Sequence, residues 1–313
     1  MQSIENLLQI TIAGILVGCV YGLMCVGLGL IFGVMRIINF AQGDFLMLGM
    51  YGTVFVASSA WIKFLGPWSP FMAAVLMSPI IAIAAMGLYR ISLHRLEQRA
   101  TVREDTRHGA QLVITLGIGL IIQNMALMVF GTVPRTTTTS FASDALVVGP
   151  LVNDEIMLFI NKARLVAAAL ALVGATLVVW FISRTRLGKS ARAAADDRDA
   201  ALYCGIDIAK IYMVVFGIGA GITSIAGGLS TSFYSFQPYV GIDFIIIMYA
   251  GVVLGGVGSI CGAFLGGCIV GIVQQTSTLF LPQQLQNAAI FVVLLLVLLL
   301  RPQGVFGRQV ERT

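Results

Sequence analysis

The chain has 313 residues, of which 58% are hydrophobic and only 11% are charged. A soluble globule of this length needs more polar and charged side chains to cover its surface, so the composition excludes one and indicates a protein that lies in lipid. The net charge of +5 does not imply a nucleic-acid partner, because membrane topology explains basic residues that concentrate in loops.

Apolar stretches near the ~20 residues that cross a bilayer recur along the sequence. They lie near Leu7–Gly33, Ala41–Ala60, Phe71–Leu93, Ala110–Phe130, Leu165–Ile182, Ile211–Thr231 and Gly251–Gly271, and a last one ends at Arg301. The sequence therefore predicts an all-α, polytopic integral membrane protein, a single domain over residues 1–313 with about eight or nine transmembrane helices. Glycines between Gly251 and Leu281 favour a broken or re-entrant segment, which leaves the count open.

Basic residues set the predicted orientation. They form two blocks, Arg90 to His108 and Arg184 to Lys210. We expect residues 94–108 and 184–210 to be cytoplasmic loops and residues 131–164 to be an extracytoplasmic loop. Of the 19 Lys and Arg residues, fifteen then lie inside, and the four outside are Lys63, Arg135, Lys162 and Arg164. The N-terminus is accordingly expected outside and the C-terminus in the cytoplasm.

A polar cluster follows the first predicted span. Asn39, Gln42 and Asp44 put two amides and a carboxylate between two apolar stretches. An Asp at the bilayer centre costs about 2.5–3.5 kcal/mol on insertion scales, so the cluster must face water, protein or substrate. Two interpretations remain open: polar groups beside a translocation pathway, or a cytoplasmic turn in which Asp44 caps the second helix.

The second basic block predicts a cytoplasmic helix. Ser190 can cap a helix through Ala191–Leu202, and Gly205 can end it. This helix would offer charged and aromatic groups to a partner, although a solvated loop without a partner is the alternative. The predicted contact residues are Arg192, Asp196, Asp197, Asp199, Tyr203 and Gly205.

The sequence Gly188-Lys189-Ser190 ends like a Walker A motif, but that motif also needs a glycine where Ser183 stands. The chain therefore shows no phosphate-binding loop. Any ATP that drives it must be hydrolysed by another polypeptide.

The C-terminal third is rich in glycine. Gly255, Gly256, Gly258 and Ser259 predict a helix break whose backbone groups can face an aqueous path. Asp44-Phe45 before Met50-Tyr51 is echoed by Asp243-Phe244 before Met248-Tyr249. The spacing differs by one residue, so the sequence does not establish an internal repeat.

Three segments carry a family resemblance. Ile38–Gly52 resembles the NFAHGE signature of the permeases of branched-chain amino acid ABC importers, especially the LivH-type subunit, with Gln42 in place of His and Asp44 in place of Glu. Arg184–Ile211 resembles the family's cytoplasmic loop with its coupling helix. Met248–Gly267 resembles the GGxGSxxGAxxGG stretch, and Arg301–Gly307 resembles the RPQGLFG ending. The match extends over nearly the whole chain.

The resemblance implies a multi-pass permease subunit of a bacterial ABC importer that moves Leu, Ile or Val across the inner membrane. It implies as partners a second homologous, LivM-like permease, two LivG- and LivF-like ATP-binding subunits, a periplasmic substrate-binding protein and membrane lipid. No enzymatic activity, cofactor, metal site or nucleic acid is expected.

Two alternatives remain. Permeases for urea, short amides or other small polar or aromatic solutes resemble this family too. A stand-alone secondary transporter is the second alternative, but both histidines fall in a cytoplasmic loop and no acidic residue lies at the middle of a predicted span to relay protons.

Overall fold

The fold is described from a computed structural model of the chain. The structure describes residues 2–59, 62, 64–97, 104–137, 139–151, 156–282 and 285–307. The helices are α1 (Gln2–Met35), α2 (Gln42–Ser58), α3 (Ser69–Ile91), α4 (Leu93–Glu97), α5 (Glu104–Phe130), α6 (Ser140–Ser143), α7 (Lys162–Arg184), α8 (Arg186–Asp196), α9 (Arg198–Tyr203), α10 (Ile208–Ser230), α11 (Val240–Gly255), α12 (Ile260–Ser277) and α13 (Gln286–Leu300). A 3-10 turn, Gly66–Trp68, precedes α3.

Long apolar helices dominate the described part of the chain. Six of them, namely α1, α3, α5, α7, α10 and α12, are long and apolar enough to cross a membrane. Two further apolar helices, α11 and α13, are shorter. The prediction of a polytopic helical membrane protein is confirmed.

The outer loop departs from the all-α prediction. Two strands, β1 (Ala145–Leu151) and β2 (Ile156–Asn161), pair antiparallel, with Ala145 opposite Asn161. Both strands are rich in valine, isoleucine and other apolar residues that favour extended backbone over helix. The expectation of an all-α chain is therefore wrong for this hairpin.

The predicted cytoplasmic helix is two helices. Thr185, not Ser190, caps α8, because the Thr185 Oγ1 accepts from the Gly188 N–H at 3.1 Å. Asp197 then ends α8 and caps α9, its Oδ1 accepting the N–H groups of Asp199 and Ala200 at 2.9 and 3.0 Å. An Asp side chain that bonds its own backbone in this way interrupts a continuous helix.

The end of α9 is as predicted. Gly205 has a φ of 79°, and its N–H donates to the Leu202 carbonyl at 2.9 Å. A glycine in the left-handed region is the usual end of a helix, since a side chain there is strained.

Two helices, α1 and α10, cross at the centre of the bundle. A Cβ added to Gly27 would lie 2.7 Å from the Gly219 carbonyl oxygen, and one added to Gly219 would lie 2.7 Å from that of Gly27. Backbones approach this closely only where side chains are absent. The helices run antiparallel, because Gly27 also lies against Thr223 while Ile31 lies against Gly219.

Each central helix also packs on a second helix, α1 on α12 and α10 on α3, through small residues at spacings of about one or two turns. The glycines of α1 that meet α12 are Gly14, Gly18 and Gly22, and those of α10 that meet α3 are Gly217, Gly221 and Gly228. These pairs too are antiparallel. By contrast, α2 runs parallel to α10, and α11 runs parallel to α1.

Eight of the described apolar helices thus fall into two interlocking halves of opposite direction, while α7 lies outside them and packs on α1. The first half is α1, α2, α3 and α5, and the second is α10, α11, α12 and α13, with α5 against α2 and α13 against α11. Each central helix contacts the third helix of the other half. The structure therefore supplies the internal repeat that the echo around Asp44 and Asp243 did not establish.

Candidate functional site

The second helix begins halfway along the central helices. Gln42, its first residue, donates from Nε2 to the Gly219 carbonyl at 3.2 Å and to Thr223 Oγ1 at 2.5 Å. Both partners lie in the middle of α10. Arg36, with a φ of 53°, turns the chain back after α1. Residues 36–41 therefore return to half depth before α2 starts.

The start of α11 lies beside the start of α2. Gly43 and Gly241 meet through their backbones, so a Cβ on Gly43 would overlap the Gly241 carbonyl, and one on Gly241 would lie 2.8 Å from the Gly43 carbonyl. The positive N-terminal ends of two oppositely directed helices thus converge inside the bundle. Broken helices of this kind bind polar groups at mid-membrane in transporters.

Asp44 lies at this convergence. Its Oδ1 accepts from Gln123 Nε2 at 2.8 Å, and its Oδ2 lies against Gly119 of α5. The Asn39 Nδ2 donates to Gln42 Oε1 at 3.0 Å. Asn39, Gln42 and Asp44 are each 2% exposed or less. The positive helix ends and the charge-assisted bond offset the cost of burying the carboxylate.

The structure brings the predicted cluster together but in a different setting. Asp44 does not cap α2, which starts after Ala41 without a side-chain cap, and its carboxylate bonds to α5 instead. The cluster lies beside the middle of α10. Asp44 and Asp243 both stand in the first turns of helices that start inside the bundle, which the sequence did not predict.

The helix break predicted at Gly255, Gly256, Gly258 and Ser259 is confirmed. The helix α11 ends at Gly255. Gly256 and Gly258, which follow it, have φ values of 100° and 89°. Ser259 Oγ then caps α12 by accepting the Gly262 N–H at 3.0 Å. Gly258 lies against Gly33, near the last turn of α1. The break is therefore a turn beside the end of α1.

The C-terminal segment closes over this turn. The Val305 N–H donates to the Leu254 carbonyl at 2.9 Å, and the Phe306 N–H donates to the Gly255 carbonyl at 3.3 Å. Gly304, at φ 81°, packs on Gly256. Two carbonyls at the break thus already have protein partners. A role of the break in an aqueous path stays a prediction.

The predicted contact residues of the cytoplasmic loop lie on the surface. Asp196, Asp199 and Tyr203 are exposed, Tyr203 by 88%. Arg192 is also exposed, but its Nη2 donates to the Ser183 carbonyl at 3.3 Å and so holds α8 to the end of α7. Asp197 is occupied as the cap of α9.

One exposed apolar residue of this loop was not among those predicted from the sequence. Leu202 is 59% exposed beside Tyr203, so α9 presents an apolar and an aromatic side chain together. An apolar residue in an otherwise charged loop was the available signal. The surface is also tied to the bundle, because Arg36 Nη2 donates to the Ala195 carbonyl at 3.4 Å.

Known proteins match this chain along its length. A family model described as "Branched-chain amino acid transport system / permease component" matches residues 10–300, from the early turns of α1 to the end of α13. LivH of Escherichia coli (strain K12), a high-affinity branched-chain amino acid transport system permease protein, is 30% identical over 308 residues, 97% of each chain. BraD of Pseudomonas aeruginosa, which carries the same description, is 30% identical over 314 residues, 100% of each chain. No solved structure matches.

The resemblance seen in three segments is therefore shared by the whole helical bundle. The chain belongs to the family of permease components of branched-chain amino acid transport systems.

Proposed function

We propose that the chain is the membrane-spanning permease subunit of a bacterial ABC importer and moves Leu, Ile or Val across the inner membrane. The observation that carries the proposal is the full-length similarity to LivH and BraD, whose names give that transport activity. The long apolar helices and the exposed α8–α9 surface fit such a subunit.

The proposed topology has the N-terminus in the periplasm and the C-terminus in the cytoplasm. It is supported by the basic residues of the 184–210 loop and by Arg301 at the end of α13. In this topology nine of the described helices, namely α1, α2, α3, α5, α7 and α10 to α13, lie in the membrane, and α2 and α11 start at half depth. The hairpin of β1 and β2 then lies on the periplasmic side, where a substrate-binding protein would dock.

The proposed partners are a second homologous permease, two ATP-binding subunits and the periplasmic binding protein. The surface of α8 and α9, with Arg192, Asp196, Asp199 and Tyr203 and with Gly205 at its end, is the proposed contact with an ATP-binding subunit. Leu202 and Tyr203 would fill an apolar groove on the partner. The bond from Arg36 to Ala195 would transmit movement of this surface to the central helix α1.

The proposed pathway runs beside the half-depth starts of α2 and α11. Asn39, Gln42 and Asp44 are proposed to support this pathway, because their hydrogen bonds hold the start of α2 against α10 and α5. The turn Gly255–Ser259 is proposed to act at the cytoplasmic end, where its glycines allow backbone movement. Alternating access would then involve relative motion of the two interlocking halves.

The test is the ATPase activity of the transporter purified through a tag on this chain. An ATP-binding subunit and a second permease should co-purify, and leucine-loaded binding protein should stimulate ATP hydrolysis. If a urea- or amide-loaded binding protein stimulates ATP hydrolysis instead, the substrate is urea or a short amide. Absence of any ATPase would favour a secondary transporter.

A variant pair tests the coupling surface. Leu202→Ala with Tyr203→Ala removes both exposed side chains of α9 without touching its cap, so stimulated ATPase activity should fall by about tenfold or more, as for interface anchors. Phe64→Ala is the control, because Phe64 is 83% exposed but lies outside this loop. Unchanged stimulation in the double variant would refute the contact.

A further inference from the structure

A cavity lies where the Gln9–Leu16 part of α1 and the first turn of α7 meet the end of β2. Its volume is about 190 Å³, and its lining includes Gln9, Ile12, Leu16, Leu158, Asn161 and Arg164. A single water needs about 10–15 Å³ of cavity volume, so this cavity has room for several waters or for one small solute. It is smaller than the ~300 Å³ of typical drug-sized pockets, which favours a small solute over a lipid with its chains.

The charge of the cavity comes from Arg164. The residue is half-buried, and its guanidinium lies over the Phe233 ring at 5.9 Å from the centroid. Among the residues that the structure describes, no carboxylate forms an ion pair with it. Lys162, in the same helical turn, does have a partner, since its Nζ lies 3.1 Å from Asp144 Oδ2. Arg164 is thus a donor group without an acceptor.

The position of Arg164 adds to its attraction for an anion. It stands in the first turn of α7, where a cation is destabilising because the helix end is itself positive. A bound carboxylate would relieve that repulsion and accept two parallel bonds from the guanidinium. The rest of the lining is apolar at Ile12, Leu16 and Leu158, with amide and carbonyl oxygens at Gln9 and Phe159.

We propose that this cavity binds a small carboxylate with a short branched apolar chain, namely the amino-acid cargo on its way in from the outer side. Arg164 holds the carboxylate, and Ile12, Leu16 and Leu158 enclose the aliphatic side chain. The ammonium donates to Gln9 Oε1 and to the Phe159 carbonyl oxygen, which accepts a long bond of 3.5 Å from Gln9 Nε2. The inference rests on the proposed function, because that function supplies the cargo.

Aromatic side chains connect this site with the half-depth helix starts. Phe233, under Arg164, is followed by Tyr234, whose ring lies 5.2 Å from that of Phe244 in the second turn of α11. Tyr21 of α1 lies 5.9 Å from the same ring. Packed aromatic rings, of which Tyr21 and Phe244 are buried, thus link the Arg164 site to the first turns of α11.

The test is direct binding of radiolabelled L-leucine to the complete complex in nanodiscs, without binding protein. Leucine should bind, 4-methylpentanoate should compete because it keeps the carboxylate, and 3-methylbutylamine should not. Arg164→Gln should weaken binding by about tenfold or more, since it removes a charge-assisted bond. Lys162→Gln, one charge removed in the same turn, should bind as the unchanged complex does.

A second variant separates binding from folding. Ala13→Leu fills the cavity, whose wall includes Ala13, and leaves Arg164 in place. It should lower leucine binding without lowering the thermal unfolding midpoint. Equal leucine binding by Arg164→Gln and the unchanged complex would overturn the site, and so would an effect of Arg164→Gln on phosphatidylglycerol binding alone.

The two proposals fail separately. No leucine binding, together with ATPase stimulation by leucine-loaded binding protein, would refute this site and leave the proposed function standing. No stimulation by that binding protein would refute the proposed function itself.

Discussion

The helices α2 and α11 start at the same depth, with a glycine at the second position of each, yet their first turns lie in different surroundings. In α2, Gln42 and Asp44 are buried and bonded to α10 and α5. In α11, Ile242 and Asp243 are exposed, and no described side chain bonds to Asp243. The start of α2 is therefore held inside the subunit. The start of α11 faces water or a partner, since an exposed carboxylate at this depth needs one of the two.

The largest effect is expected where the two starts touch. Gly43→Leu places a side chain where the Gly241 backbone lies, and backbone cannot yield as a flexible side chain can. The cost should reach about 3 kcal/mol or more, as in strong overpacking, and little folded protein should be recovered. Size-exclusion chromatography of detergent extracts measures this.

Gly87→Leu is the matched control, because a Cβ at Gly87 meets open space. It should be recovered at the usual level. A monodisperse Gly43→Leu protein in normal yield would show that the two helix starts are not in backbone contact.

A smaller effect should distinguish the two carboxylates. Asp44→Ala leaves the buried Gln123 amide without its partner, which costs about 1–3 kcal/mol. Asp44→Asn keeps an acceptor oxygen and should cost less. Asp243→Ala removes an exposed, unbonded group and should stay within about 0.5 kcal/mol. Thermal unfolding in detergent gives the ranking, and equal losses for the two alanine variants would remove the distinction between the two starts.

The smallest effect concerns the third helix of each half. Ser259 caps α12, so Ser259→Ala should cost about 1 kcal/mol. Its counterpart α3 starts after Trp68 without a side-chain cap and with Pro70 in the first turn, so Ser69→Ala should have no measurable effect. The same unfolding assay compares them. A loss for Ser69→Ala as large as that for Ser259→Ala would contradict this account.

Local signals were readable in the sequence. Gly205, Gly256 and Gly258 end helices because glycine alone adopts their backbone angles without strain, and Ser259 begins the next helix by a bond to its own backbone. These features depend on a few neighbouring residues. The ends of the apolar stretches were readable for the same reason, as at Phe130.

The depth at which α2 starts and the contacts between distant residues could not be predicted from the sequence. The apolar stretch after Asn39 has the same composition whether it starts at the surface or halfway in, and its depth depends on Gly219, 177 residues away from Gln42. At Asp197 the helix propensity of an Ala-rich run competes with a side chain that caps a new helix, and the cap interrupts the run. The ion pair of Lys162 with Asp144, beside a hairpin that was not predicted, likewise could not be read from the sequence.

The packing of α1 on α12 bears on how the protein is made. Synthesis proceeds from the N-terminus, so α1 enters the membrane long before α12 has been translated. Until then Gly14, Gly18 and Gly22 present a groove of bare backbone without the helix that fills it. In the same way α3, in the first half, packs on α10 of the second half. Neither half can therefore complete its packing before the other. The nascent chain must keep its first helices loosely associated and close the bundle only when the last ones arrive.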